Sequence, residues 1–490
     1  MGLISKELVW FVPFVLAGAA GLVAVRFLLP RVWAVARHTL AEALRLKIAV
    51  FFIVLMVLGF VAATTTEGDG TVSGRIQSFL VYSTTLVGLL LALLSIFLSR
   101  SVSEELVGRQ MLVLMTKPLP RWQYLTGKWL GVTLLNTLLL ALTGTGIYLT
   151  VRVMAAQPPL NEYDAARLEH EVMTARHVVP FELPRDVFRR ETDLLFKRNM
   201  EEGRYDGIDG FDPRAERDRL YKYVEGRWRN VPFGQYRDFR FSNVLCERDP
   251  ETFIQVRYKA QANTFPPDEV LRTRWIAGDP SRGTRLQTQD RRDVRGRFHT
   301  VPFSADTVAP DGTLNVRVVN VNPFYPEEPQ FDYILHFEGL RGVEVFFRVG
   351  TFEGNLLRAL LIVHCKLMFL TAVALLFVTV FSFPVACLCS VTIYVLAAVR
   401  GYLKDALGFL EEGSVVTVFK TVFTGVLKVL YLVIPDFAAY NPTETLADGR
   451  NVTLAWLLLA VLYLVIIGTS AAMLIACLLF HRREVSEVSV

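Results

Sequence analysis

The residues best suited to chemical work lie between Ser101 and Gly131, in the run SVSEELVGRQMLVLMTKPLPRWQYLTGKWLG. Two carboxylates, Glu104 and Glu105, stand beside Arg109 and Gln110 on one short segment. Leu106, Val107, Leu112 and Leu114 supply an apolar stripe against them, so a charged amphipathic helix is predicted. Ser101 and Glu104 have the spacing of a capping box. Pro118 and Pro120 end the helix, because proline lacks an N–H and clashes with the preceding turn. Lys128 stands at the foot of the next apolar run, and Gly127 and Gly131 form a small-xxx-small pair that permits close helix approach. No G-x-S-x-G nucleophile motif occurs anywhere in the chain. The chemistry on offer is charged docking rather than bond making. The run sits between two segments long enough to cross a bilayer, so anchoring does not require it. A charged helix in that place is predicted to contact another protein.

The elements around this run follow from how apolar and charged residues are distributed. The chain has 490 residues, is 52% hydrophobic and yet 20% charged. Both figures hold together only if the two kinds of residue are segregated. The long apolar runs fall in 1–153 and 355–482, and the charge falls mostly in 154–354, where no run could span a membrane. Leu8–Leu29 reads as a retained first span, too long for the core of a signal peptide. Pro30–Lys47 reads as an amphipathic interfacial helix with a stripe of Val32, Val35, Leu40 and Leu44. Further spans are expected over Ile48–Ala63, Phe79–Leu98, Trp129–Val151, Asn355–Phe381, Val385–Val399 and Leu454–Phe480. Residues 415–434 are apolar but interrupted by Lys420 and Lys428, which suits a re-entrant or interfacial element. The expected fold is an α-helical polytopic membrane protein: a six-span core plus one extra N-terminal span, with an inserted α+β, mainly β domain. Its parts are 1–29, 30–153, 154–354 and 355–490, with the charged helix over 101–115.

Within the insertion, about 160–230 reads as helical and 240–352 as β. Strands are expected at Thr252–Tyr258, Leu271–Trp275, Thr313–Val321, Tyr333–Phe337 and Val343–Val349, the spacing of an antiparallel sandwich. The net charge of +5 comes from interleaved signs, without the one-signed patch that nucleic acid requires. Of five cysteines only Cys246 lies in the insertion, so that domain closes no internal disulfide. The Asp206–Asp212 loop lacks the alternation and closing Glu of a calcium loop. Trp228, Trp275, Tyr221 and Tyr223 read as core aromatics before glycan-stacking ones. Arg, Lys counts in the short loops put Pro30–Lys47, Arg100–Lys128 and the Arg482-Arg483 tail on the cytoplasmic side, with the insertion outside. Arg358, His364 and Lys366 fall early in the fifth span. Intramembrane ionisable residues are functional candidates, but the surplus length of that span also allows them to snorkel at the outer interface.

The Ser101–Gly131 run resembles the signature of the permease subunit of type 2 ABC transporters, the exporter-type permeases. The matching residues are Glu104, Gly108, Lys117-Pro118, Arg121, Tyr124, Gly127-Lys128 and Gly131, with Glu105 and Arg109 beside them as further coupling candidates. Pro30–Lys47 looks like the family's elbow helix, and Ile434-Pro435-Asp436-Phe437 with Asn441 like its closing pattern. The resemblance covers the two membrane parts, about half the chain. It implies an ATPase-coupling role for these residues, a second permease copy, and a cytoplasmic ABC ATPase partner in the bacterial inner membrane. No G-x-x-x-x-G-K-[ST] loop is present, so ATP and Mg belong on that partner and none on this chain. The extra span and the large insertion depart from the family pattern. Two rivals stand beside export: a subunit that transmits ATP-driven motion to its outer domain without transport, and a membrane-anchored binding protein.

Overall fold

The computed structural model describes residues 18–45, 47–66, 68–107, 119–206, 211–246, 253–263, 270–322, 333–337, 342–400 and 434–482. The chain divides into two compact units, Met1–Ala175 with Gly350–Val490, and Arg176–Val349.

The first unit is helical. In order it contains α1 (Gly18–Leu28), α2 (Pro30–Arg45), α3 (Lys47–Thr64), α4 (Val72–Leu98), α5 (Arg100–Val107), α6 (Arg121–Ala155) and α7 (Glu162–Arg167). After the second unit come α10 (Phe352–Val380), α11 (Phe383–Ala398), α12 (Thr443–Ala447) and α13 (Leu454–Arg482). Four helical stretches are long and apolar enough to cross a membrane: Val72–Glu105, α6, α10 and α13. A fifth is reached if α1 and α2, bent by 113° at Pro30, count as one broken span. The seven-span expectation is therefore met only in part. α11 has 16 residues, about 24 Å of helix at 1.5 Å per residue, shorter than a ~30 Å hydrocarbon core. The expected element at 415–434 lies outside the described residues except for Ile434.

The second unit is built on two sheets. It contains β1 (Thr174–Pro180, which begins just before the boundary), α8 (Arg185–Glu201), α9 (Pro213–Trp228), β2 (Asn230–Val231), β3 (Tyr236–Phe241), β4 (Phe253–Ala262) and β5 (Val270–Ala277). β6 (Gln287–Val294), β7 (Phe298–Ser304), β8 (Leu314–Asn320), β9 (Leu335–Phe337) and β10 (Val343–Thr351) follow. One sheet runs β1-β10-β4-β9-β2, with β7 also on β4; the other runs β3-β8-β5-β6. β4 pairs antiparallel with β10, β7 and β9, and β8 antiparallel with β3 and β5. Both sheets feed one apolar core that includes Val256, Tyr258, Trp275, Val316, Val318 and Val345. Tyr258 and Trp275 lie with ring centroids 4.4 Å apart. Trp275 is thus a core residue, whereas Tyr223 is exposed on α9. The 160–230 stretch is not wholly helical: β1 interrupts it and joins β10 at the edge of the larger sheet.

The charge-rich stretch from 154 does not all belong to the insertion. Residues up to Ala175 pack with the helical unit. The reason is a buried carboxylate. Asp164 is fully buried and accepts the N–H groups of Val72, Ser73 and Leu160, each at 3.0 Å. Val72 and Ser73 open α4, so Asp164 closes from outside its sequence the donors that a helix start leaves unpaired. Arg167 extends the clamp to Asp69 at 2.9 Å and Gln77 at 2.6 Å. Burial alone would raise the Asp164 carboxyl, but the donors of Leu160, Ser73 and Val72 outweigh it and hold the group below its ordinary range. A depressed folded-state pKa gives stability that is present above the unfolded value of about 3.9 and is lost as pH falls through the folded one. Asp164→Ala is expected to cost about 2–4 kcal/mol by leaving these donors unpaired. Thermal unfolding of the full chain in nanodiscs checks this, and the gap between wild type and variant should begin to narrow as pH falls below about 4.

Candidate functional site

The glycines of the Gly127-Lys128-x-x-Gly131 pattern have a direct steric task. α2 crosses the foot of α6 so closely that a Cβ at Gly127 would lie 2.6 Å from Val35 Cβ and 2.9 Å from the Val32 carbonyl oxygen. At Gly131 it would lie 2.7 Å from Thr39 Cβ and 2.8 Å from the Ala36 carbonyl oxygen. The buried residues of α2 are Val32, Ala36, Thr39 and Ala43; of the expected stripe, Val32 is buried and Val35 and Leu40 are half-buried against the helical cores. Close approach selects small residues, and Leu44 is left exposed. The stripe marked the packed side of α2, but the small residues Ala36, Thr39 and Ala43 make its closest contacts, because the approach is backbone-close.

Lys128 lies between the two glycines and is 2% exposed. Its ammonium donates to Glu105 Oε1 at 2.6 Å and to Ser101 Oγ at 3.2 Å, and sits 3.5 Å from Glu42 Oε2. Tyr124 donates from its hydroxyl to the other oxygen of Glu105 at 2.5 Å. One cation thus joins α6 to α5 through Glu105 and Ser101, and to α2 through Glu42. A buried ammonium is tolerable only when paired and hydrogen-bonded, so the three helices are obliged to meet here. An apolar layer of Val102, Tyr124, Leu125, Leu375, Val378 and Phe480 packs at the same foot and brings in α10 and α13.

The remaining residues of the pattern divide by place. Arg121 faces the end of α13, where it donates to the carbonyls of Phe480 and His481 and lies over the Phe480 ring, 5.4 Å from its centroid. That is a cation on the negative end of a helix dipole. Glu104 is turned to solvent and pairs with Arg100 at 2.6 Å, one turn away on α5. Gly108, Arg109, Lys117 and Pro118 lie outside the described residues. The residues of the pattern therefore serve two ends: Tyr124, Gly127, Lys128 and Glu105 look inward, and Glu104 looks out. His364 and Lys366 are not at the end of their span. They lie about 18 Å and 21 Å along α10 at 1.5 Å per residue. His364 Nε2 is 3.3 Å from Thr137 Oγ1 on α6. Arg358 alone is near the helix start, bonded to Asn451 at 3.0 Å.

Sequence reasoning missed Glu42. Its signal was available: it is the one acid in Pro30–Lys47, among Arg31, Arg37, Arg45 and Lys47. The carbonyl acceptors of Phe480 and His481 had no such signal, being backbone atoms distant in sequence. Comparison of the chain with protein-family models, curated proteins and solved structures finds no match.

The foot makes a steric prediction. Gly131→Val places a branched side chain against the Ala36 carbonyl and Thr39, neither of which is a flexible chain end. Release of α2 from α6 is expected, read as faster hydrogen–deuterium exchange at the amides of α2 in the full chain in nanodiscs. Gly18→Ala, where nothing lies within 4 Å, should leave that exchange unchanged.

Proposed function

We propose that this chain is the membrane-spanning permease subunit of an ATP-binding cassette transporter. A separate cytoplasmic ATPase binds ATP and Mg, docks on the α5 segment, and drives export across the bacterial inner membrane. Two permease subunits flank the path, and residues 176–349 face the periplasm. The observation that carries this reading is the Lys128 node. It links a charged helix with an outward Glu104 to the amphipathic α2 and the foot of the apolar α6, so a push on α5 is passed to both through ion pairs rather than a loop. The charges of the short loops support cytoplasmic placement of this foot. The absence of a phosphate-cradling loop in the sequence supports a separate ATPase. An open apolar groove of about 410 Å³ between α3 and α6, lined by residues such as Met56, Phe60, Leu139 and Gly146, is in the size range of ligand pockets and suits a hydrophobic cargo.

Force transmission without transport is a second reading, favoured by one observation. The chain passes between the units with almost no linker: Met173 alone separates the helical turn Leu168–Val172 from β1, and Phe352 of α10 follows Thr351 of β10 directly. β1 and β10 are neighbours in one sheet. Both readings predict that a P-loop ATPase co-purifies with the tagged chain from its native host. Glu104→Lys and Gly108→Trp are expected to reduce its recovery at least tenfold without lowering the amount of folded chain. A chain that binds no ATPase and tolerates both changes would leave only the anchored binding protein. ATP-driven flux in proteoliposomes then separates the first two, being present for export and absent for force transmission.

A further inference from the structure

The chain leaves the helical unit and returns to it at two crossings. Residues 168–174 lead out, where the π-turn Leu168–Val172 gives way to β1 after Met173. Residues 351–355 lead back, where Thr351 ends β10 and Asn355 stands in the first turn of α10. One short loop, Gly449–Thr453, meets both. On the returning side Asn355 is fully buried. Its amide group donates to the Arg450 carbonyl at 2.8 Å, and its side-chain oxygen accepts the N–H of Val452 at 2.7 Å. One side chain thus makes the pair of bonds that a neighbouring strand would make. One turn further along α10, Arg358 donates to Asn451 Oδ1 at 3.0 Å.

On the outgoing side the contact is steric. A Cβ at Gly449 would lie 1.8 Å from the Glu171 carbonyl oxygen and 3.5 Å from that of Thr174. Glycine is required there a second time, because its φ of +62° ends α12. The Gly449 N–H donates to the Leu446 carbonyl at 3.1 Å and the Arg450 N–H to the Thr445 carbonyl at 2.8 Å, the two bonds of a Schellman motif. The π-turn it presses on is held by the Met173 N–H on the Leu168 carbonyl at 3.0 Å. Such turns are rare and concentrate at functional sites. The last loop residue, Thr453, accepts the N–H of Trp456 at 3.2 Å and so opens α13. Only 28% of the apolar stretch of α13 is buried, against 50–67% in the other three long helices. Slight lateral packing leaves its ends to fix it, and Arg121 holds the far one.

We propose that Gly449–Thr453 is a joint that fixes both crossings to the start of α13, so that a shift of α13 reaches the two chain segments of the second unit together. A loop that only joined α12 to α13 would run over the surface. This one is buried at Gly449 and Val452, and it engages a buried asparagine and a carbonyl from two distant parts of the chain. Holding both crossings has a mechanical sense, because β1 and β10 are neighbours in one sheet and a shift applied to both does not shear their pairing. The joint gives force transmission a route, but it does not rest on that reading or on an ATPase.

Hydrogen–deuterium exchange of the full chain in nanodiscs tests it. Asn355 makes no hydrogen bond to residues 168–174 among the described residues, so Asn355→Ala loosens the loop from the returning crossing alone. Exchange is expected to rise about tenfold at Val452 and, through the loop, about fivefold at Met173 on the outgoing crossing. The Gly234 amide of the second unit, bonded to the Asn320 carbonyl at 3.0 Å, should not change. A rise confined to Val452 means that the loop serves α10 alone, and the proposal fails. If Asn355→Ala also raises Gly234, the fold has been lost and Arg358→Gln decides, since it removes only the contact to Asn451. A rise of about twofold at Met173 with Gly234 unchanged supports the joint. An unchanged Met173 overturns it.

Discussion

A buried ammonium must be matched by carboxylates, and that requirement at Lys128 organises the foot of the helical unit. The residue is almost fully enclosed, so its charge has no access to water. Glu105, Glu42 and Ser101 answer it from two other helices. Glycine at 127 and 131 is the condition for this, because only without a Cβ does α2 come near enough for Glu42 to reach. The spacing Gly-Lys-x-x-Gly therefore states one physical demand: two helices close enough to share one cation. Leu125 and Tyr124 carry the same foot into the apolar layer with α10 and α13.

The opposite end of α4 uses the same logic with the signs reversed. There Asp164 is the buried charge, and backbone N–H groups of a helix start are its partners. Its position on α7 makes the segment after α6 part of the helical unit and sets the boundary at Ala175. Asn355 completes this end, donating to the Arg450 carbonyl and accepting from Val452. Polar side chains thus tie both ends of the bundle, while the middle is held by apolar packing around residues such as Phe79, Leu135 and Leu370.

The segregation of apolar and charged runs was legible in the sequence, and so was the division into a helical part and a β part. The strands Val343–Thr351 and Leu314–Asn320 were legible because they are rich in Val, the first buried over Val343–Phe347 and the second alternating in burial. β6 was not. Its residues QTQDRRDV are polar on both faces, as befits the edge of a sheet, so no hydrophobic period marks it. β7 was masked by Pro302 inside it. The span count is met only in part at α11, which is apolar as expected but has 16 residues. In the foot, Lys128 and the glycines were found as a pattern, but the pattern did not reveal that they face inward. Burial of a lysine depends on a partner 86 residues away, Glu42, and pair distance is not written in local spacing.

The central claim is that Lys128 and Glu105 act as one interacting unit holding α5 to α6. A double-mutant cycle on the full chain in nanodiscs measures it, using Lys128→Met, Glu105→Gln and the pair, with thermal or denaturant unfolding as the readout. Each single change is predicted to cost about 3–5 kcal/mol by stranding a buried charge. The double variant should lose at least ~2 kcal/mol less than the sum of the two, the signature of direct coupling. Strict additivity, with a coupling below ~0.5 kcal/mol, would contradict the account.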